Sequence, residues 1–199
     1  MTITGRIHNF GAGPAVLPLE VVEECRKSLP NLNNSGFGLL EISHRSKTFQ
    51  NIVDSSMEKL RRILSIPEDY TVLYLQGGAS LQFYMSALNL LRENEKVDFL
   101  VTGVWSQKAL KEASRIGDAS ARWDDSENGF RSIPSNEDYS VRDDSLYLHY
   151  TSNNTLFGTQ FHHLPESNGK PRVLDASSDI MGVPLDVSSH DLIYAGAQK

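Results

Sequence analysis

The stretch TVLYLQGGASLQFYMSALNLLRENEKVDFLVTGVWSQKALKEASRIGDASARW, residues 71–123, alternates between two hydrophobic periods. Thr71–Leu75 (TVLYL) is a short apolar run and predicts a strand. The turn Gln76-Gly77-Gly78-Ala79-Ser80 leads from it into LQFYMSALNLL, which predicts a helix. Val97–Val101 predicts a second strand, ended by Thr102-Gly103 and followed by a helix near Ser106–Ile116. Weaker strands are expected at Ala119–Trp123, Leu146–Tyr150, Arg172–Leu174 and Leu192–Ala195. Strands alternating with helices predict an α/β fold built on a mostly parallel sheet covered by helices.

Upstream, residues 5–18 (GRIHNFGAGPAVLP) hold three glycines and two prolines and read as an irregular arm. Pro18 suits the first turn of a helix running to about Leu29, with Val21, Val22, Cys25 and Leu29 facing inward. From Ser46 to Leu64, the residues Phe49, Ile52, Val53, Met57, Leu60 and Leu64 recur at spacings of three and four. That pattern predicts an amphipathic helix, stopped before Pro67. The domain reading is an arm over residues 1–17 and one large domain over 18–199. Residues 124–144, rich in Asp, Glu and Ser, read as a solvated excursion.

The composition narrows the function. With 39% hydrophobic and 22% charged residues in 199, the chain has the make-up of a globular protein. Nineteen Lys and Arg against 25 Asp and Glu leave a net charge of −6, which disfavours nucleic acid or an anionic membrane as partner. Cys25 is the single cysteine, so no intrachain disulfide forms, as suits a reducing cytoplasm. The apolar runs are too short to span a bilayer, and MTITGRIHNF lacks the apolar core of a secretion signal. No metal is expected: His162 and His163 are adjacent and would point apart on a strand, and no HExxH or CxxC spacing occurs.

Ligands of open parallel sheets collect at the carboxyl ends of the strands. QGGAS (76–80), TGVWS (102–106), TSNNT (151–155), DASSD (175–179) and GAQK (196–199) all follow predicted strands. Gly77–Ser80 reads either as a plain tight turn or as a phosphate cradle at a helix start. Asp175 is either a turn-capping residue or a carboxylate that holds a cationic ring nitrogen. Trp105 is either core or a flat face for a heteroaromatic ring. Lys199, after the apolar LIYAGA, is oddly placed for a surface lysine. Desolvation there favours its neutral amine, which Schiff-base formation requires. As a set, these residues describe a pyridoxal phosphate site.

Eight segments carry a resemblance: NFGAGPAVLP (9–18), EISHRSKTF (41–49), LQGGASLQF (75–83), VTGVWSQKALKEA (101–113), YTSNNTLFGTQF (150–161), DASSDI (175–180), PLDV (184–187) and LIYAGAQK (192–199). In order along the chain, they closely resemble the phosphoserine aminotransferase family, class-V enzymes of the fold-type I group that depends on pyridoxal 5'-phosphate. The resemblance implies a covalent aldimine at Lys199, which is also the catalytic proton carrier. It implies Asp175 at the pyridine nitrogen, Trp105 stacked on the ring, and Ala79, Ser80 and Gln198 at the phosphate. Thr155 would lie near the ring's 3-hydroxyl edge. His44 and Arg45 would meet the substrate, Arg45 through its planar fork.

The reaction implied moves the amino group of L-glutamate to 3-phosphohydroxypyruvate, giving 2-oxoglutarate and O-phospho-L-serine. It belongs to serine biosynthesis, with a link to pyridoxine biosynthesis, in a cytoplasmic homodimer. The alternatives are an alanine–glyoxylate or serine–pyruvate type aminotransferase, or a cofactor-binding module without turnover. Two positions depart from the family pattern. Gly182-Val183 precede Pro184 where a basic residue is frequent, and Ser80 stands where some members have an arginine. The family also continues beyond its Schiff-base lysine into the rest of the large domain and a small C-terminal domain. The resemblance therefore implies an incomplete large domain here, with a sheet edge left uncovered.

Overall fold

The computed structural model describes residues 5–197. They form two compact units that divide between Val72 and Leu73.

The first unit contains two helices, α1 (Leu19–Ser28) and α2 (Lys47–Ile63). Ser46 caps α2, its hydroxyl accepting the Phe49 N–H at 3.1 Å. The Arg61 guanidinium closes the far end by donating to the carbonyls of Pro67 and Tyr70, at 3.0 and 2.6 Å. Both helices form where the periodicity predicts them, but the inward faces do not. Neither helix contains a buried residue. Val21, Leu29, Phe49, Ile52 and Ile63 are between 37 and 59% exposed. An amphipathic period states that a face is suited to burial; another element must supply the cover.

The second unit contains α3 (Gly78–Leu90), β1 (Lys96–Val101), α4 (Val104–Ala113), β2 (Asp118–Asp124) and β3 (Ser145–Thr151). A small antiparallel hairpin follows, β4 (Asn153–Asn154) with β5 (Thr159–Gln160), and then β6 (Arg172–Asp175) and β7 (Leu192–Tyr194). The main sheet has the order β2-β1-β3-β6-β7, with every pair parallel. Thr71–Leu75 is not a strand. Leu73, Tyr74 and Leu75 are 52–66% exposed. A strand exists only as one side of a hydrogen-bonded ladder, and apolar composition provides the faces without the partner.

Alternation along the strands builds two cores. Val97, Phe99 and Val101 of β1 join Tyr147, Val173 and Tyr194 beneath Phe83 and Ala87 of α3, Leu91 just past its end, and Ala109 and Ala113 of α4. Leu100, Leu148, Tyr150 and Leu174 face the other way and meet Val141 and Ala176. Within this unit the second face is covered by irregular segments, among them Tyr139, Phe161, Ile180 and Leu185. Leu100 and Leu148 are completely buried, each contributing about 1.5–3 kcal/mol.

The polar stretch 124–144 is anchored to the sheet rather than freely solvated. Asp98 of β1 is fully buried, and a buried carboxylate needs a partner. Arg142 supplies it through its backbone N–H and Nε, both at 2.7 Å. The same guanidinium donates to the Asp118 carboxylate at 3.1 Å and to the carbonyls of Val97 and Asp118. Asp125, also buried, accepts from Asn128 and from the backbone N–H groups of Arg131 and Ser132. The Asn128 side chain first, with those N–H groups, holds its carboxyl below the usual range. His162 and His163 occupy a bend rather than a strand.

Candidate active site

Because all five strands run parallel, the residues that follow β1, β3, β6 and β7 share one rim. Asp175 ends β6. The strand period from Val173 turns it toward the face covered by α3 and α4, and it is 2% exposed. One carboxylate oxygen accepts the Ser177 N–H at 3.0 Å, the turn-capping contact that the sequence allowed. Capping and burial coincide, so the capped carboxylate is also a desolvated negative charge at a strand end.

β7 delivers the next part. Its continuation reaches Gly196, whose N–H donates to Ser177 Oγ at 2.9 Å. A Cβ placed on Gly196 would lie 3.5 Å from the Ala79 nitrogen. The chain after β7 therefore passes directly against the first turn of α3, beside the turn that carries Asp175. That first turn follows Gly77, at φ 92°, where a Cβ would also meet the Leu81 side chain at 2.4 Å. Gly78, Ala79 and Ser80 open the helix, so their N–H groups have no carbonyl one turn behind them. Partial positive charge is thus presented within reach of a buried carboxylate.

The hairpin β4–β5 connects the rest. Ser178 Oγ donates to Asn153 Oδ1 at 3.1 Å and lies 2.7 Å from Thr155 Oγ1. Ser178 has one proton, already given to Asn153, so Thr155 is the donor in that pair. Ser152 Oγ and Gln160 Nε2 both donate to the Asp179 carboxylate. Asn154 turns the opposite way, into the interior, and bonds Thr102 at the end of β1. Gly103 leads from there into α4 and Trp105. Trp105 is half-buried and packs on the α3–α4 core, with Lys108 Nζ over its ring 4.4 Å from the centroid. Trp105 is therefore partly core, as one of its two sequence readings has it.

Behind Asp175, Tyr194 pairs with it in register, and its hydroxyl lies 2.8 Å from His149 Nε2. Burial pushes the Tyr194 hydroxyl well above its ordinary pKa, and the Asp175 charge adds to the shift. Burial also lowers His149 to about 3, and its ring stacks on Phe99 at 4.6 Å. This interior pair is neutral at neutral pH.

Ala79, Ser80, Trp105, Thr155 and Asp175 thus belong to one unit and are linked along one rim. Gln198 and Lys199 lie outside the described residues. His44 and Arg45 belong to the first unit, where both are exposed in the turn before α2, and the Arg45 N–H donates to Ser43 Oγ. Asn154, Ser177 and the Tyr194–His149 pair are parts of the site that sequence reasoning missed. Asn154 and Ser177 lay inside stretches singled out as rim loops, but a polar loop residue gives no sign of whether it turns inward. Among the described residues, no group of three His, Cys, Asp or Glu is placed to hold a metal ion. Nor is any helix long and apolar enough to cross a membrane.

This chain is similar over 98% of its length to a phosphoserine aminotransferase of Desulfotalea psychrophila, with 46% identity across 194 residues. It spans about half, 54%, of that relative. A solved phosphoserine aminotransferase, studied for radiation damage to its Schiff base, superposes with a TM-score of 0.94 at 42% identity. The superposition covers 98% of this chain and 55% of that one. A second, from Trichomonas vaginalis and solved with pyridoxal phosphate bound, gives a TM-score of 0.86 at 32% identity, covering 96% of this chain and 53% of that one. These neighbours share the parallel, helix-flanked sheet described above. The class-V aminotransferase profile matches residues 7–199, and the chain belongs to that family.

Proposed function

We propose that the protein built on this chain is a pyridoxal phosphate-dependent phosphoserine aminotransferase. It would transfer the amino group of L-glutamate to 3-phosphohydroxypyruvate and release 2-oxoglutarate and O-phospho-L-serine. The observation that carries this reading is the buried Asp175 carboxylate on the same rim as the open N-terminus of α3, joined to it through Ser177 and Gly196. A zwitterionic aromatic phosphate is complementary to that pair of charges.

The residues suit the group in detail. The first-turn N–H groups of α3, at Ala79 and Ser80, bind a phosphate with Gln198 as a further donor. Asp175 keeps a proton on a ring nitrogen, because a buried carboxylate is stabilised by an adjacent cation. Trp105 offers an indole face, and Thr155 a hydroxyl that is free to exchange its Ser178 partner for a ring oxygen. Pyridoxal phosphate, when bound, supplies an electron-withdrawing ring that accepts the electron pair left by Cα–H cleavage. Lys199 carries the cofactor and moves the proton at the substrate Cα. Arg45, with His44, grips the anionic end of a substrate, carboxylate or phosphate, with a bidentate fork. Support also comes from the relatives, which are named as phosphoserine aminotransferases, one of them solved with pyridoxal phosphate.

The domain reading, an arm followed by one large domain over 18–199, belongs to the same proposal, as do a cytoplasmic location and a homodimer. Reduction of the purified protein with borohydride, followed by intact-mass measurement and peptide mapping, tests the cofactor. A phosphopyridoxyl adduct on Lys199 is expected, and its absence refutes the cofactor and the mechanism with it. Comparing O-phospho-L-serine with L-alanine as amino donor tests the substrate. Preference for alanine sinks the phosphoserine assignment and points to the alanine–glyoxylate type.

A further inference from the structure

We infer that Asn154 is a positioning residue that sets the orientation of Trp105, and through it the ring of the bound cofactor. The inference rests on the proposed cofactor site. Asn154 is completely buried. Its Nδ2 donates to Thr102 Oγ1 at 2.9 Å, while its Oδ1 has no partner among the described residues. A buried amide whose oxygen has no partner is costly, so its presence points to a role other than stability.

What the side chain touches identifies that role. A Cβ on Gly103 would lie 2.3 Å from Asn154 Cγ and 2.4 Å from Oδ1. Gly103 has φ 173°, an extended backbone that any residue adopts, so it is this close approach that excludes a side chain there. Asn154 therefore presses on the backbone one residue before α4 and two before Trp105. The same junction is held from two other directions. Thr159 Oγ1 donates to the Thr102 carbonyl at 2.7 Å. Ser106 Oγ accepts the N–H groups of Thr102 and Gly103 at 3.0 and 3.1 Å. The start of α4 has almost no freedom, and two of its three restraints come from the β4–β5 hairpin.

That hairpin also carries Asn153 and Thr155, which bond Ser178 on the turn after Asp175. One two-stranded bracket thus fixes the aromatic side of the site with Asn154 and Thr159, and the carboxylate side with Asn153 and Thr155. Releasing Asn154 leaves the second attachment intact and loosens only the first. The stack on Trp105 would then lose its fixed plane while Asp175 stays in place.

The test uses the full-length protein loaded with pyridoxal phosphate, in wild type, Asn154→Ala and Thr102→Val. Thr102→Val removes only the Oγ1 acceptor and keeps the shape, so it carries the test should Asn154→Ala not fold. The readouts are the visible circular dichroism per bound cofactor and the cofactor dissociation constant. Both variants are expected to lose at least about half of the dichroic band and to bind the cofactor about tenfold more weakly, with Thr102→Val the milder. A wild-type band and an affinity within about twofold, in variants that merely melt earlier, would make Asn154 a packing residue and overturn the inference. A wild-type protein that takes up no pyridoxal phosphate overturns the proposed function itself, and this inference falls with it.

Discussion

Replacing Arg142 by Met separates stability from function in this fold. Asp98 is completely buried in β1, and Arg142 meets it through Nε and its own backbone N–H, both at 2.7 Å. Arg142→Met keeps the backbone bond and most of the side-chain volume but removes the positive charge. It also strips donors from the carbonyls of Val97 and Asp118 and from the Asp118 carboxylate. Leaving one member of a buried pair uncompensated costs about 3–5 kcal/mol. With a urea slope of about 2–3 kcal/mol/M, the unfolding midpoint falls by on the order of 1–2 M. The double variant Arg142→Met with Asp98→Asn recovers at least half of that loss, because no buried charge then remains. Asp98, Asp118 and Arg142 all lie toward the amino ends of β1, β2 and β3, opposite the rim that carries Asp175 and Gly103. Cofactor affinity of the folded variant therefore stays within about twofold of wild type. Urea melts followed by circular dichroism, with a cofactor titration, check both parts. A single variant within about 1 kcal/mol of wild type, or a double variant as unstable as the single, refutes the account.

Other expectations concern single groups. His149 is lowered to about 3 by burial, so below about pH 6.5 the unfolded chain takes up a proton that the folded chain refuses. Stability is full above that pH and falls with acidification, by about 2 kcal/mol between about pH 6.5 and 4.5. His190, also lowered by burial, adds to the slope. Melts of His149→Phe across that range should show the acid slope reduced by about one proton, and an unchanged slope would mean that His149 is not the group responsible. At the α3 start, Gly77→Ala forces φ 92° on a residue whose Cβ meets Leu81, whereas Gly78, at φ 59°, has open space around it. Gly77→Ala should cost about 1–3 kcal/mol, more than Gly78→Ala, and should weaken cofactor binding. If thermal melts and titrations rank Gly78→Ala as the more damaging, the cradle argument fails.

The sheet strands from Val97 onward, the helices at 47–63 and 104–113 and the loops that form the rim were all readable from local pattern. Alternation and helical period are properties of neighbouring residues, and the rule that parallel sheets bind at their carboxyl ends converts them into a site. Asp175 and Trp105 were singled out in this way because Asp175 closes one apolar strand and Trp105 opens the helix that follows another. Contacts between distant segments left no such trace. Thr71–Leu75 has strand composition and forms no strand, since a ladder depends on a partner that the segment itself does not encode. The apolar stripes of α1 and α2 specify a face but not its cover. Asn154 and Thr155 are adjacent polar residues in one loop, yet one turns inward to fix Gly103 while the other faces Ser178. Arg142, in a stretch that composition marks as solvated, is bound to a buried aspartate 44 residues away. Local pattern carries backbone period and the chemistry available at strand ends, whereas burial, pairing and the direction of a side chain arise only when segments remote in sequence pack together.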